Sequence, residues 1–71
     1  MTGVSLEEAL DKAQEALIKA NYPTMFLPLE RSEKDHQGNW TLVYSWTLTN
    51  KRVRVVVGRT GQVLELGVVE Q

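Results

Sequence analysis

The chain has no cysteine, a single histidine and two prolines among its 71 residues. Each scarcity excludes something. Without cysteine there is neither a disulfide nor a thiolate for zinc. One imidazole cannot build a histidine metal site, and no cofactor is expected. No apolar run exceeds a few residues, far short of the roughly 20 that cross a bilayer, so membrane insertion is not expected. Neither sign of charge dominates: eight Lys+Arg stand against nine Asp+Glu, a formal net charge of −1. A general nucleic-acid binder carries a basic footprint, and this balance leaves room only for a local basic patch. Met1-Thr2-Gly3-Val4-Ser5 has neither the basic start nor the apolar stretch of a signal peptide. The expectation is a cytoplasmic protein, although a secreted chain lacking its leader reads the same.

Size sets a second constraint. A chain this short buries only about 60% of the surface its unfolded state exposes. A single small core of this kind rarely supplies more than roughly 3–5 kcal/mol. With disulfides and metals absent, regular local structure and self-association are the remaining sources of stability.

The patterning is regular. Ser5 followed by Glu8 fits a capping box, with Val4 and Ala9 at the positions of a hydrophobic staple. Leu6, Ala9, Leu10, Ala13, Ala16, Leu17 and Ala20 follow the helical period and form one apolar stripe. Asn21 suits a left-handed stop, and Pro23 forbids continuation. A helix is predicted over 5–20, its alanines allowing close approach to a sheet.

The remainder reads as strands over about 25–32, 39–49, 52–58 and 62–69. Met25, Leu27 and Leu29 alternate with Phe26, Pro28 and Glu30, and Pro28 argues for an edge strand. A polar loop spans 33–39. Trp40, Leu42, Tyr44, Trp46 and Leu48 then share one face, with Thr41, Val43, Ser45 and Thr47 on the other. Asn50-Lys51 is a plausible two-residue hairpin turn. Val53, Val55 and Val57 form the next buried face, opposite Arg52, Arg54 and Val56. After a Gly58-Arg59-Thr60-Gly61 turn, Leu64, Leu66 and Val68 close the core, with Val63, Glu65 and Val69 on the far side. Short connections make these strands antiparallel neighbours in chain order. The prediction is a single α+β domain over 1–71: one N-terminal helix packed on a four-stranded antiparallel meander, in two layers.

Nothing in this pattern assembles a catalytic set. His36 lies in the polar loop beside Asp35, with no nucleophile in a recognisable motif, and reads as a solvated histidine. Glu30, Glu33 and Asp35 read as solvated charges around a hairpin loop rather than paired catalytic carboxylates. Asn39-Trp40-Thr41 matches the glycosylation acceptor triplet, but Trp40 is expected to be buried. Stacking RNA bases on a sheet needs outward aromatics, whereas Trp40, Tyr44 and Trp46 fall on the core face. The face away from the helix is the better candidate. There Val43, Val56 and Val63 or Val69 are expected to line up across three strands, with Phe26 at the edge and Arg52, Arg54 and Glu65 at the margins.

The order of features resembles the PepSY-type small domains. The matching residues are Ala9, Ala13 and Ala16, Gly38-Asn39-Trp40, Tyr44, Val53 to Val57, and Thr60-Gly61-Gln62-Val63-Leu64, within 5–66. The family usually has an aspartate just after the valine strand, where this chain has Gly58. The resemblance implies a non-catalytic module that binds or restrains a partner, and it transfers no active-site residue. The expected function is therefore a small interaction or regulatory module that binds a protein partner, or a second copy of itself. Its candidate face comprises Val43, Arg52, Arg54, Val56, Glu65 and Val69. The alternative is a small apolar ligand held between helix and sheet around Trp40, Tyr44 and Trp46.

Overall fold

A computed structural model describes residues 3–70, so the expected domain of 1–71 extends slightly beyond the described residues at both ends. One helix, α1 (Leu6–Lys19), precedes four strands: β1 (Leu29–Lys34), β2 (Trp40–Ser45), β3 (Lys51–Val57) and β4 (Val63–Glu70). The strands form one antiparallel sheet in the order β1-β2-β3-β4. The α+β meander is as the periodicity predicts.

The helix starts and stops where its chemistry dictates. Ser5 accepts the Glu8 N–H, and the Glu8 carboxylate accepts the Ser5 N–H, which completes the capping box. Asn21 takes φ 65°, the left-handed stop. Ala9, Ala13 and Leu17 are buried, whereas Ala20, expected on the stripe, is exposed beyond the last turn. The helix lies over β2, β3 and β4, leaving the β1 margin of that sheet face largely uncovered. Between the layers, Leu27, Leu42, Tyr44, Val53, Val55 and Val57 complete the core.

Four sequence expectations need correction. The first strand does not begin at Met25. Residues Thr24–Phe26 form a 3₁₀ turn, with Phe26 N–H donating to Pro23 and Leu27 N–H to Thr24. Pro28 donates no N–H, so regular pairing starts only at Leu29. The segment still runs beside β2, because the Phe26 and Pro28 carbonyls accept the Thr47 and Ser45 N–H groups at 3.1 and 3.0 Å. Met25 is therefore 83% exposed rather than part of the core, and Phe26 belongs to the turn instead of a strand edge. The polar loop is also shorter than 33–39, since Glu33 and Lys34 belong to β1.

β2 ends at Ser45 rather than near residue 49. The Trp46 N–H donates to Lys51 O, and the Thr49 N–H to Trp46 O, so Thr47-Leu48-Thr49-Asn50 form the loop. Leu48 is 65% exposed there, not a core residue. A turn at Asn50-Lys51 would set Thr49 opposite Arg52; the longer loop sets Ser45 there instead and slides β3 along β2.

The last correction is a bulge. Val56 pairs with Glu65 but Val57 with Val63, so Leu64 is the extra residue. Val63, not Leu64, stands opposite core residue Val57, and Leu64 is 56% exposed. Of the two turn glycines, Gly61 has the positive φ, 89°.

Candidate functional site

The registers place the outward residues of the sheet in three rows. Glu33, Thr41, Val56 and Glu65 form the first; Arg31, Val43, Arg54 and Gly67 the second; Ser45, Arg52 and Val69 the third. All six candidate residues (Val43, Arg52, Arg54, Val56, Glu65 and Val69) thus share the face opposite the helix. The expected line of valines is absent. Val43, Val56 and Val69 each occupy a different row, and Val63 belongs to the helix side. The β2–β3 loop explains this: alternation decides which face a residue takes, while loop length decides its row.

Charge fills the space between the valines. Arg52 grips Glu30 with two nitrogens, Nε on Oε1 at 2.5 Å and Nη2 on Oε2 at 3.2 Å. Glu30 can meet it because a register irregularity between Leu29 and Arg31 leaves it outside the regular pairs. The Arg52 hydrogen bond holds the Glu30 carboxyl below its ordinary pKa, and Glu30 in turn raises that of Arg52. Arg54 meets Glu65 at 2.8 Å. Arg31 makes no ion pair within the described residues. It lines a shallow depression of about 270 Å³ with Glu33, Thr41, Val43, Arg52 and Arg54. Val69, 39% exposed, lines the same depression, while Val56 lies half-buried between Thr41 and Glu65 and Val43 is half-buried.

The three aromatics of β2 and its end do not enclose one cavity. The Trp40 indole N–H donates to Val4 O at 2.9 Å, and the Lys34 ammonium lies 5.7 Å from its ring centre. Trp46 tilts against Tyr22 with ring centres 5.9 Å apart, and its buried indole N–H has no partner among the described residues. Trp46 lines a shallow depression of about 320 Å³ with Ala20, Asn21, Tyr22 and Val68, whereas Tyr44 faces a separate groove, about 500 Å³, between α1 and the uncovered β1 margin. Leu10, Leu17, Leu27, Leu29 and Met25 supply its apolar walls. The Tyr44 hydroxyl has no hydrogen bond within the described residues, and burial raises its pKa. This groove escapes sequence reading because Met25 and Leu29 look like core in an alternating pattern.

The polar candidates have local tasks. The Asp35 carboxylate accepts the Gln37 and Asn39 N–H groups, both at 2.9 Å, and closes the β1–β2 turn. Those bonds, the Asn39 one foremost, lower its pKa. His36 is exposed in the same turn. The Asn39 side-chain oxygen accepts the Arg59 N–H at 3.1 Å, tying this turn to the β3–β4 turn. Among the described residues, no three His, Cys, Asp or Glu side chains group closely enough to hold a metal ion, and no helix is long and apolar enough to cross a membrane. No family model, curated protein or solved structure matches the chain.

Proposed function

We propose that the chain is a non-catalytic interaction module that binds a protein through the open face of its sheet. The observation carrying this reading is the depression where Arg31, without an ion pair among the described residues, adjoins Val43, Arg52 and Arg54. Such a surface fits a partner segment that offers a carboxylate flanked by apolar side chains. Partner binding adds the desolvated charge-assisted bond that Arg31 lacks. It also removes Val43, Val56 and Val69 from water, each contributing in proportion to apolar area at about 25 cal/mol per Å². The resemblance to PepSY-type domains points to the same class of role.

Affinity capture from the source cells with the full chain as bait, compared with Arg31→Glu and Val56→Lys, tests this. Both variants are expected to fold and to lose the same captured protein. Retention of that protein by both would remove the open face as its binding surface. The groove beside Tyr44 supports a second reading, a small apolar ligand with one polar atom on the Tyr44 hydroxyl. Under that reading Leu29→Arg, not Arg31→Glu, abolishes binding.

A further inference from the structure

The two edges of the sheet are built differently. β1 is charged at Glu30, Arg31, Glu33 and Lys34, is preceded by Pro28, and has an irregular register between Leu29 and Arg31. These are the devices by which sheets prevent an edge from pairing with another strand. β4 is longer, eight residues, and has no lysine, arginine or proline. Its exposed residues include Leu64 at 56%, Val68 at 41% and Val69 at 39%. Its bulge lies at Leu64, near one end, and leaves 65–70 in regular register with β3. Half of the backbone N–H and C=O groups of such an edge face away from the sheet.

We propose that β4 is a self-pairing edge: two copies of the chain join antiparallel along it, about a two-fold axis at Gly67, into one continuous sheet. The proposal concerns the edge and does not depend on the open face being a binding surface. The register follows from the residues. Antiparallel partners share a sheet face, so a two-fold axis must pass through a residue paired with its own copy. Centring on Leu66 runs the bulge at Leu64 into the pairing. Centring on Val68 sets Leu66 against Glu70. Centring on Gly67 keeps 65–69 regular, sets Leu66 against Val68 of the second copy on the helix side, and sets Glu65 against Val69 on the open side.

Two further features fit this register. A side chain added at Gly67 would meet nothing within 4 Å, so the axis is free of obstruction. Glu65 of the second copy falls in the same row as Arg52, two strands away across Val69, or about 10 Å between Cα atoms at ordinary strand spacing. Arg52 is held by Glu30 and Glu65 by Arg54 within each chain, so the second copy's Glu65 extends an existing row of ion pairs over the valine rather than meeting a free cation.

The chain is free of cysteine, so a single introduced thiol reports the geometry directly. Gly67→Cys places its thiol opposite its own copy, while Glu33→Cys places one near the protected edge. Oxidation of Gly67→Cys to a covalent dimer is expected roughly tenfold or more faster than that of Glu33→Cys, because pairing makes the reaction effectively intramolecular. Sedimentation equilibrium of the wild type should give twice the chain mass at high concentration, and Val68→Lys should give the chain mass. Equal oxidation rates for the two cysteine variants would overturn the proposal. So would a wild type that is monomeric at every concentration, which would leave the edge to a strand of some other protein.

Discussion

Val55 and Val56 are neighbours in β3 and belong to opposite sides of the sheet. Val55 is fully buried beneath α1, whereas Val56 stands half-buried between Thr41 and Glu65 on the open face. On the helix side a valine fills volume. On the open side it chiefly favours extended backbone and shares its surroundings with charge. The same residue type therefore does two different jobs one position apart, and only the contacts of the folded sheet distinguish them.

The same substitution at both positions measures that difference. Val55→Thr leaves the shape nearly unchanged but buries a hydroxyl among apolar residues, which costs about 1–3 kcal/mol. Val56→Thr leaves its hydroxyl within reach of water and should alter stability by about 0.5 kcal/mol or less. Urea unfolding followed by tryptophan fluorescence resolves the two. Equal losses at both sites would mean that the open face is covered in solution, as it would be in a face-to-face oligomer.

The two faces are legible in the sequence because period-two alternation is a local property of Trp40 to Ser45 and Lys51 to Val57. The rows are not. They depend on where β2 turns into β3, and the Trp46 carbonyl accepting the Thr49 N–H ends the strand earlier than alternation implies. Leu48 continues the apolar period and yet lies in the loop. Leu64 departs from its expected place for a related reason: a bulge inverts the alternation, and nothing in Val63-Leu64-Glu65 announces one. At Gly58 a side chain would crowd the Leu64 side chain at 3.2 Å, and the exposed Leu64 would have to shift by a few tenths of an ångström to admit it. Alternation therefore identifies the open face as a set of residues. The arrangement of its charges, including the pairing of Glu30 with Arg52, follows from an irregular register that has no sequence signature.

The helix side is itself uneven, and the two tryptophans of that face sharpen the comparison. Trp40 anchors the segment before α1 through its bond to Val4 O, while the Trp46 indole N–H is buried and without a partner among the described residues. Replacing either by phenylalanine removes similar volume. Trp40→Phe also strands the Val4 carbonyl, whereas Trp46→Phe removes a donor that has no acceptor among the described residues. Trp40→Phe is expected to be the more destabilising by about 1 kcal/mol. Thermal melts of the two variants decide it; a larger loss at Trp46 would show that the buried N–H finds a partner in solution.

The smallest expected effect belongs to the open face and concerns acid. The Glu30 carboxyl is held below its ordinary pKa by its hydrogen bond to Arg52, and the Asp35 carboxyl by the N–H groups of Asn39 and Gln37. A carboxyl with a depressed folded-state pKa binds fewer protons folded than unfolded as pH falls through the usual carboxylate range. Its stabilisation is thus fully present above that range, near pH 5 and higher, and is lost progressively as pH drops below about 4. Both carboxylates are exposed, so solvent and salt screen the contribution and the slope should be shallow. Arg52→Met removes the cause at Glu30 and leaves Asp35 untouched. The acid limb of stability against pH should therefore flatten partly in Arg52→Met, partly in Asp35→Asn, and most in the double variant, with each change shrinking in high salt. Unfolding midpoints measured from neutral pH into the acid limb test this directly. An unchanged acid limb in Arg52→Met would mean that the Glu30–Arg52 contact does not persist in solution, and that the open face holds its arginines ready for a partner instead.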